Sequence, residues 1–385
     1  MVRIDFDEHN AEVEAVWKAY HEGNPIRVPM IIGINSRVTM VIPEANPRGI
    51  DFPEYFTDPE TMLTRQLEHF SWVRKHIPQD APMGLPEAGW DVKVSFQNSY
   101  EAGWFGCDMH YFEGEVPDTM PILQEESTKR VLLEKGIPDP FADGLMERNW
   151  RFYDFFKEKQ AQGFTWEGKP LASVMPTGLK TDGPVTVACN LRGASEFYTD
   201  LGADPRYANE LLEFVVEATI VRIKAYRERL GMPMKTAGYG FADDGIQSIS
   251  IPMYKEMVMP FHKRLIEAFS EGGTHSIHLC GDAGRFFRML KEELNMKSFD
   301  TGYPIDFGWI REQLDEDVEI KGGPSVTFLQ AATPEDVREE VRRILDSGIK
   351  RGGRFILREG NNLPPGIALE NLWAMYDTVR EYGVY

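Results

Sequence analysis

HSIHLCGDAGRFFRMLKEELNMKSFDTG, residues 275–302, sets two short β-prone runs on either side of an amphipathic stretch. Repetition of that unit decides the fold. VPMIIG (28–33), VKVSF (92–96), PVTVAC (184–189), KTAGYG (235–240), HSIHLC (275–280), KSFDTG (297–302), VEIKGG (318–323) and RFILR (354–358) all read as strands. Residues 205–230, 253–271 and 334–347 carry apolar side chains at helical spacing, and the last opens on Thr333-Pro334, a cap residue followed by proline at the first helical position. Such alternation implies a mainly parallel sheet. Eight runs favour closure into a single (β/α)8 TIM barrel over a doubly wound sheet, whose Gly-rich phosphate loop is missing. One domain then covers residues 1–385, with 1–100 supplying an N-terminal extension and the first strands. Residues 100–180, rich in aromatics, read as an insertion at the barrel mouth.

Composition narrows the partners. With 42 Lys+Arg against 61 Asp+Glu the net charge is −19, which repels phosphate backbones and anionic lipid, so neither nucleic acid nor a membrane surface is an expected partner. No window is apolar enough to span a bilayer, and the opening MVRIDFDEHN lacks the pattern of a secretory signal. Cys107, Cys189 and Cys280 are odd in number and far apart, which points to a reducing cytoplasm rather than a disulfide framework. A homodimer is compatible with a barrel of this size.

The sharpest local feature is SIHLCGD, 276–282. On a strand, His278 and Cys280 share one face and Ile277 and Leu279 the other. The apolar pair should pack under helices, leaving imidazole and thiol inside the barrel at the strand's C-terminal end, where barrel enzymes place their chemistry. That pair suits zinc, although a buried cysteine beside a hydrogen-bonded histidine is the plainer alternative. Glu359, in LREGNNLPPG (357–366), is the best-charged candidate for a third ligand. Asp243 and Asp244 follow another strand in AGYGFADDG (237–245) and could supply a general acid. Among the aromatics, Trp104 and Tyr239 are candidate walls for an apolar substrate.

From AGWFGCDMHYFEGEVP (102–117) through DGPVTVACNLRG (182–193), IHLCGD (277–282), IKGGPSV (320–326) and ATPEDVREEVRRIL (332–345) to GGRFILREGNNLPPGIALENLWAMYDTVREYG (352–383), the chain resembles the uroporphyrinogen decarboxylase superfamily, which includes corrinoid-dependent methyltransferases. The resemblance implies a (β/α)8 barrel. It also separates two activities. True decarboxylases carry two arginines four apart in an N-terminal loop, whereas GINSRVTMVIPEANPR offers Arg37 alone at that spacing, and their C-terminal histidine falls at Asn361. Methyltransferases of the family bind zinc through His-x-Cys and a later cysteine. His278 and Cys280 match the pair, the later cysteine also falls at Asn361, and Glu359, Asp243 or Asp244 would complete the site. Asn361 is therefore expected against the substrate. What the resemblance implies first is a methyltransferase that demethylates a small, methoxylated aromatic and passes the methyl to cob(I)alamin on a separate corrinoid protein. The alternatives are transfer from methylcobalamin to a thiol or tetrahydrofolate, and a non-catalytic barrel that binds a small molecule.

Overall fold

The computed structural model describes residues 4–112 and 116–385. Seven strands follow one another around a ring: β1 (Trp90–Lys93), β2 (Lys169–Met175), β3 (Gly240–Ala242), β4 (His275–Leu279), β5 (Met296–Thr301), β6 (Glu319–Gly322) and β7 (Phe355–Leu357). All pairings among them are parallel, β1 with β2 and β3 through β7 in order. The predicted first strand at 28–33 is reduced to a single parallel bridge from Met30 to Leu357 of β7.

The ring is α/β and barrel-like, but its ladder does not close as expected among the described residues. It parts into two sheets. At one seam, between 28–33 and β1, side chains stand in for a neighbouring strand: Gln79 accepts from Ile32 N at 2.9 Å, Asp80 from Met30 N at 2.7 Å and Gln66 from Lys93 N at 3.3 Å. Buried backbone donors must find acceptors, and carboxylate and amide oxygens satisfy that need without a strand. At the other seam one bond, Ala242 N to Thr181 O at 3.3 Å, joins β3 to the chain beyond β2.

Two other expectations change. PVTVAC is not a strand: Pro184–Arg192 forms helix α1. Its β-branched run is overruled from outside, because Asp243 accepts from Val185 N (3.3 Å) and Thr186 N (2.8 Å), giving the helix an N-terminal anion, with Pro184 in the first turn. Gly183 precedes it at φ +91, and a Cβ there would strike the Ala242 carbonyl. The strand that replaces it, β2, lies within the stretch assigned to the insertion.

The five-stranded sheet follows the pleat closely. Phe241, Ile277, Phe299, Ile320 and Phe355 form one register row and are buried against helices. Phe287, on helix α2 (Gly284–Leu294), stacks on Phe299 with ring centroids 4.6 Å apart. Each such burial contributes about 1.5–3 kcal/mol. The next row, Ala242, His278, Asp300 and Lys321, points the other way, into the ring.

Candidate active site

His278 sits one residue before the end of β4, and Cys280 just past it, so both reach the C-terminal rim of the strands. His278 Nε2 lies 2.9 Å from Cys280 Sγ, and Nδ1 lies 2.9 Å from Asp300 Oδ2, its register partner on β5. Asp300 is held in turn by Arg358 Nη1, which donates at 2.7 Å. Asp244 completes the group: its Oδ1 accepts from Cys280 N at 2.6 Å and stands 4.0 Å from His278 Nε2. Donor atoms of Asp244, His278 and Cys280 all lie within 4.8 Å of one another. Backbones crowd here as well; a Cβ on Gly302 would collide with Cys280 and Gly281, so that close approach requires glycine.

Oxygen, imidazole nitrogen and thiolate sulfur from three side chains match the donor set of a catalytic zinc with one position open. The carboxylate on the far nitrogen of His278 is the usual outer partner of a metal-ligating imidazole. In the metal-free protein, burial opposes the His278 cation, yet Asp300 and Cys280 outweigh it and lift its pKa to about 10. Burial raises the Cys280 thiol, against the pull of His278. Burial also raises Asp300, but His278 and Arg358 prevail and hold it below the usual carboxylate range.

The neighbouring acids have separate fates. Asp243 is fully buried, 2.8 Å from His262 Nε2 and 2.9 Å from the Thr186 hydroxyl that donates to it, and it anchors α1. With no exposed surface it has no route to a substrate, so the expected acid role at Asp243 is withdrawn. Glu359 is not in the donor cluster either. Its Oε1 accepts from Arg358 Nη2 and Gly33 N, both at 2.8 Å, tying the last loop to the 28–33 segment; its Oε2 is buried without a partner, and burial raises its pKa. Asp244 takes the place expected of Glu359.

The assigned substrate contacts also move. Trp104 is 1% exposed, donates to Asp139 O at 3.0 Å and lies under the Arg222 guanidinium, 5.1 Å from it. Tyr239 is buried between Phe241 and Phe269. Both are core. The aromatic wall expected to receive a methoxylated arene is therefore largely interior, with Tyr100 and Phe105 buried too. Asn361 is half-buried at the rim, its Oδ1 accepting from Asn362 N at 2.7 Å.

Sequence reasoning passed over Asp182 and Glu101. Glu101 forms a fully buried pair with Arg222 at 2.6 Å and accepts from Asp182 N at 2.7 Å. Burial first, then the charges of Glu101 and Asp244, push Asp182 up to about 8. An acid preceding Gly-Pro at the start of a helix was the available signal.

The model of the family described as uroporphyrinogen decarboxylase (URO-D) matches residues 169–382. Among curated proteins, a methylated-thiol–coenzyme M methyltransferase of Methanosarcina mazei is 24% identical, covering 94% of this chain and 90% of its own length. A methylcobamide:CoM methyltransferase, MtbA, of Methanosarcina acetivorans is 20% identical over 85% of this chain and 92% of its own. A uroporphyrinogen decarboxylase of Geobacter metallireducens is 27% identical, but over only 33% of this chain and 36% of its own. A solved structure, a methyltransferase from Methanosarcina mazei, superposes with a TM-score of 0.65 at 17% identity, covering 96% of this chain and 98% of that one.

Proposed function

The chain belongs to the uroporphyrinogen decarboxylase family, and on that premise we propose that it is a methyltransferase moving a methyl group from a corrinoid to a small thiol. The observation that carries this is the Asp244, His278 and Cys280 donor set at the strand rim. Similarity along nearly the whole chain to two proteins named for transfer to coenzyme M supports it, while the decarboxylase likeness covers about a third. O-demethylation of an arene, the first expectation, has lost its aromatic wall.

A zinc ion held by Asp244, His278 and Cys280 would supply Lewis acidity, which lowers the pKa of a thiol brought to the site. The side chains do the positioning. Asp300 takes the Nδ1 side of His278 and leaves Nε2 turned to the site, while Arg358 keeps Asp300 ionised. Asp244 is fixed by the Cys280 amide. The reaction is an SN2 transfer: the sulfur lone pair forms the S–CH3 bond, the Co–C pair returns to cobalt as cob(I)amide, and the thiol proton leaves to solvent. Alignment of sulfur, methyl and cobalt is the main task left to the protein. The corrinoid is carried to the mouth by a separate protein.

The test is zinc-loaded protein mixed with methylcobalamin and a series of thiols, followed by the visible spectrum of the corrinoid. Conversion to cob(I)alamin is expected with at least one thiol, with about one zinc per chain. His278→Ala and Cys280→Ala should lose the zinc and slow transfer by about a thousandfold or more, since Lewis-acid stabilisation is worth several kcal/mol. Methylcobalamin untouched by every thiol would overturn the proposal, and methyl-group loss from methoxylated arenes to cob(I)alamin would restore the first expectation.

A further inference from the structure

β1 alternates buried Trp90 and Val92 with exposed Asp91 and Lys93. The buried pair belongs to the core beneath the helices, so Lys93 projects inside the ring. It stands opposite Met175, the last residue of β2, at the end of the strands that carries the donor cluster. Lys180 follows a few residues after β2. Its backbone is pinned, the carbonyl accepting from Tyr100 Oη at 3.0 Å and from Arg222 Nη2 at 2.8 Å, while the side chain stays exposed.

Neither lysine joins a salt bridge among the described residues. Burial and then the Lys180 charge both lower the Lys93 pKa, the signature of two cations sharing a confined space. Arg37, in the short helix Ser36–Met40 after the 28–33 segment, repeats the pattern: its guanidinium bonds Asn35 Oδ1 at 3.0 Å, finds no carboxylate among the described residues, and is disfavoured by burial. Three consecutive positions of the ring thus present an uncompensated cation at the same rim. A chain with 61 acids has no shortage of partners. Partly desolvated charge left unpaired costs free energy that a ligand of opposite charge recovers.

We propose that Lys93 and Lys180, flanked by Arg37, form a subsite for one carboxylate or sulfonate group on the small substrate. The methyl-transfer assignment supplies only the identity of the other end, a thiol that must reach the Asp244–His278–Cys280 group. The substrate class is then a short thiol acid.

Calorimetric titration tests this with 3-mercaptopropionate, 2-mercaptoethanesulfonate and uncharged 2-mercaptoethanol, and with thiol-free propionate and ethanesulfonate. The anionic thiols should bind about tenfold or more tightly than 2-mercaptoethanol at low salt, with the preference shrinking as salt is added. Lys93→Ala and Lys180→Ala should bring them down to the affinity of the neutral thiol, and Lys93→Arg should restore part of the preference. Both side chains are exposed, so truncation leaves no buried gap, and a thermal melt checks the fold. Comparing the carboxylate with the sulfonate of each pair identifies which anion the subsite takes. If no thiol accepts a methyl yet the thiol-free anions bind and lose affinity in the two variants, the subsite stands and the transfer assignment falls. Equal affinity for charged and neutral thiols, or a preference that survives both variants, would overturn the subsite.

Discussion

The last five strands of the ring and its first three positions solve one folding problem by different means. From β3 to β7 the ladder is continuous, and one register row delivers His278 and Asp300 to the rim already paired. Around 28–33, β1 and β2 the ladder is broken, and Gln66, Gln79 and Asp80 satisfy backbone donors that a strand would otherwise hold. The first arrangement fixes donor atoms relative to one another, as a metal site requires. The second spends side chains on holding backbone and leaves cations facing the lumen. Preorganised donors on one side and unpaired charge on the other divide the mouth into a reacting half and a gripping half.

If side chains rather than ladder hold the first half, removing one buried charge there should cost more than any single strand bond. Glu101→Gln leaves Arg222 charged, fully buried and facing a neutral amide. Breaking a buried pair on one side costs about 3–5 kcal/mol, so urea unfolding should shift by that order. A change below about 1 kcal/mol would mean the pair is dispensable and the contrast between the halves overstated.

Acid should find the same half. His69 is buried against Thr39, and burial, aided by the Arg65 charge, lowers its pKa to about 4. The unfolded histidine titrates near 6.5, so between those values the unfolded chain binds a proton that the native chain refuses. Stability is therefore complete above pH 6.5 and falls as pH drops towards 4, by roughly 2–3 kcal/mol from this group. His69→Gln should flatten that part of the pH profile. Hydrogen exchange at pH 5 should show protection fading first around residues 39 and 69, ahead of the five-stranded sheet; uniform loss would break the comparison.

The legibility of the two halves differs for the same physical reason. HSIHLC, KSFDTG, VEIKGG and RFILR are strands because period-two burial is written into them, and that period also aimed His278 inward. PVTVAC misled because its β-branched residues are overruled by a carboxylate 58 residues away in sequence, bonded to Val185 N. The seams were invisible, since a glutamine accepting from a strand edge leaves no periodic mark. Asp243 and Asp244 show the limit at a single step. Adjacent and chemically identical, one is sealed under α1 and the other reaches Cys280, a division decided by backbone direction that a pair of letters does not record.

The smallest expected effect probes the reacting half. Asp300→Asn keeps size and shape but removes the charge beside His278 Nδ1 and the partner of Arg358. An amide oxygen can still accept from Nδ1–H, so the imidazole keeps its orientation, but it is a weaker base towards a metal. Outer-partner changes of this kind cost about 10- to 100-fold in metal affinity, and the conservative swap should sit near the lower figure, about tenfold. Competition with a chromogenic chelator measures it, alongside an unchanged melting temperature for the metal-free protein. Unaltered zinc affinity would mean that Asp300 serves Arg358 and the strand rim alone, and that the paired row from β4 to β5 is a packing feature rather than a device for holding a ligand ready.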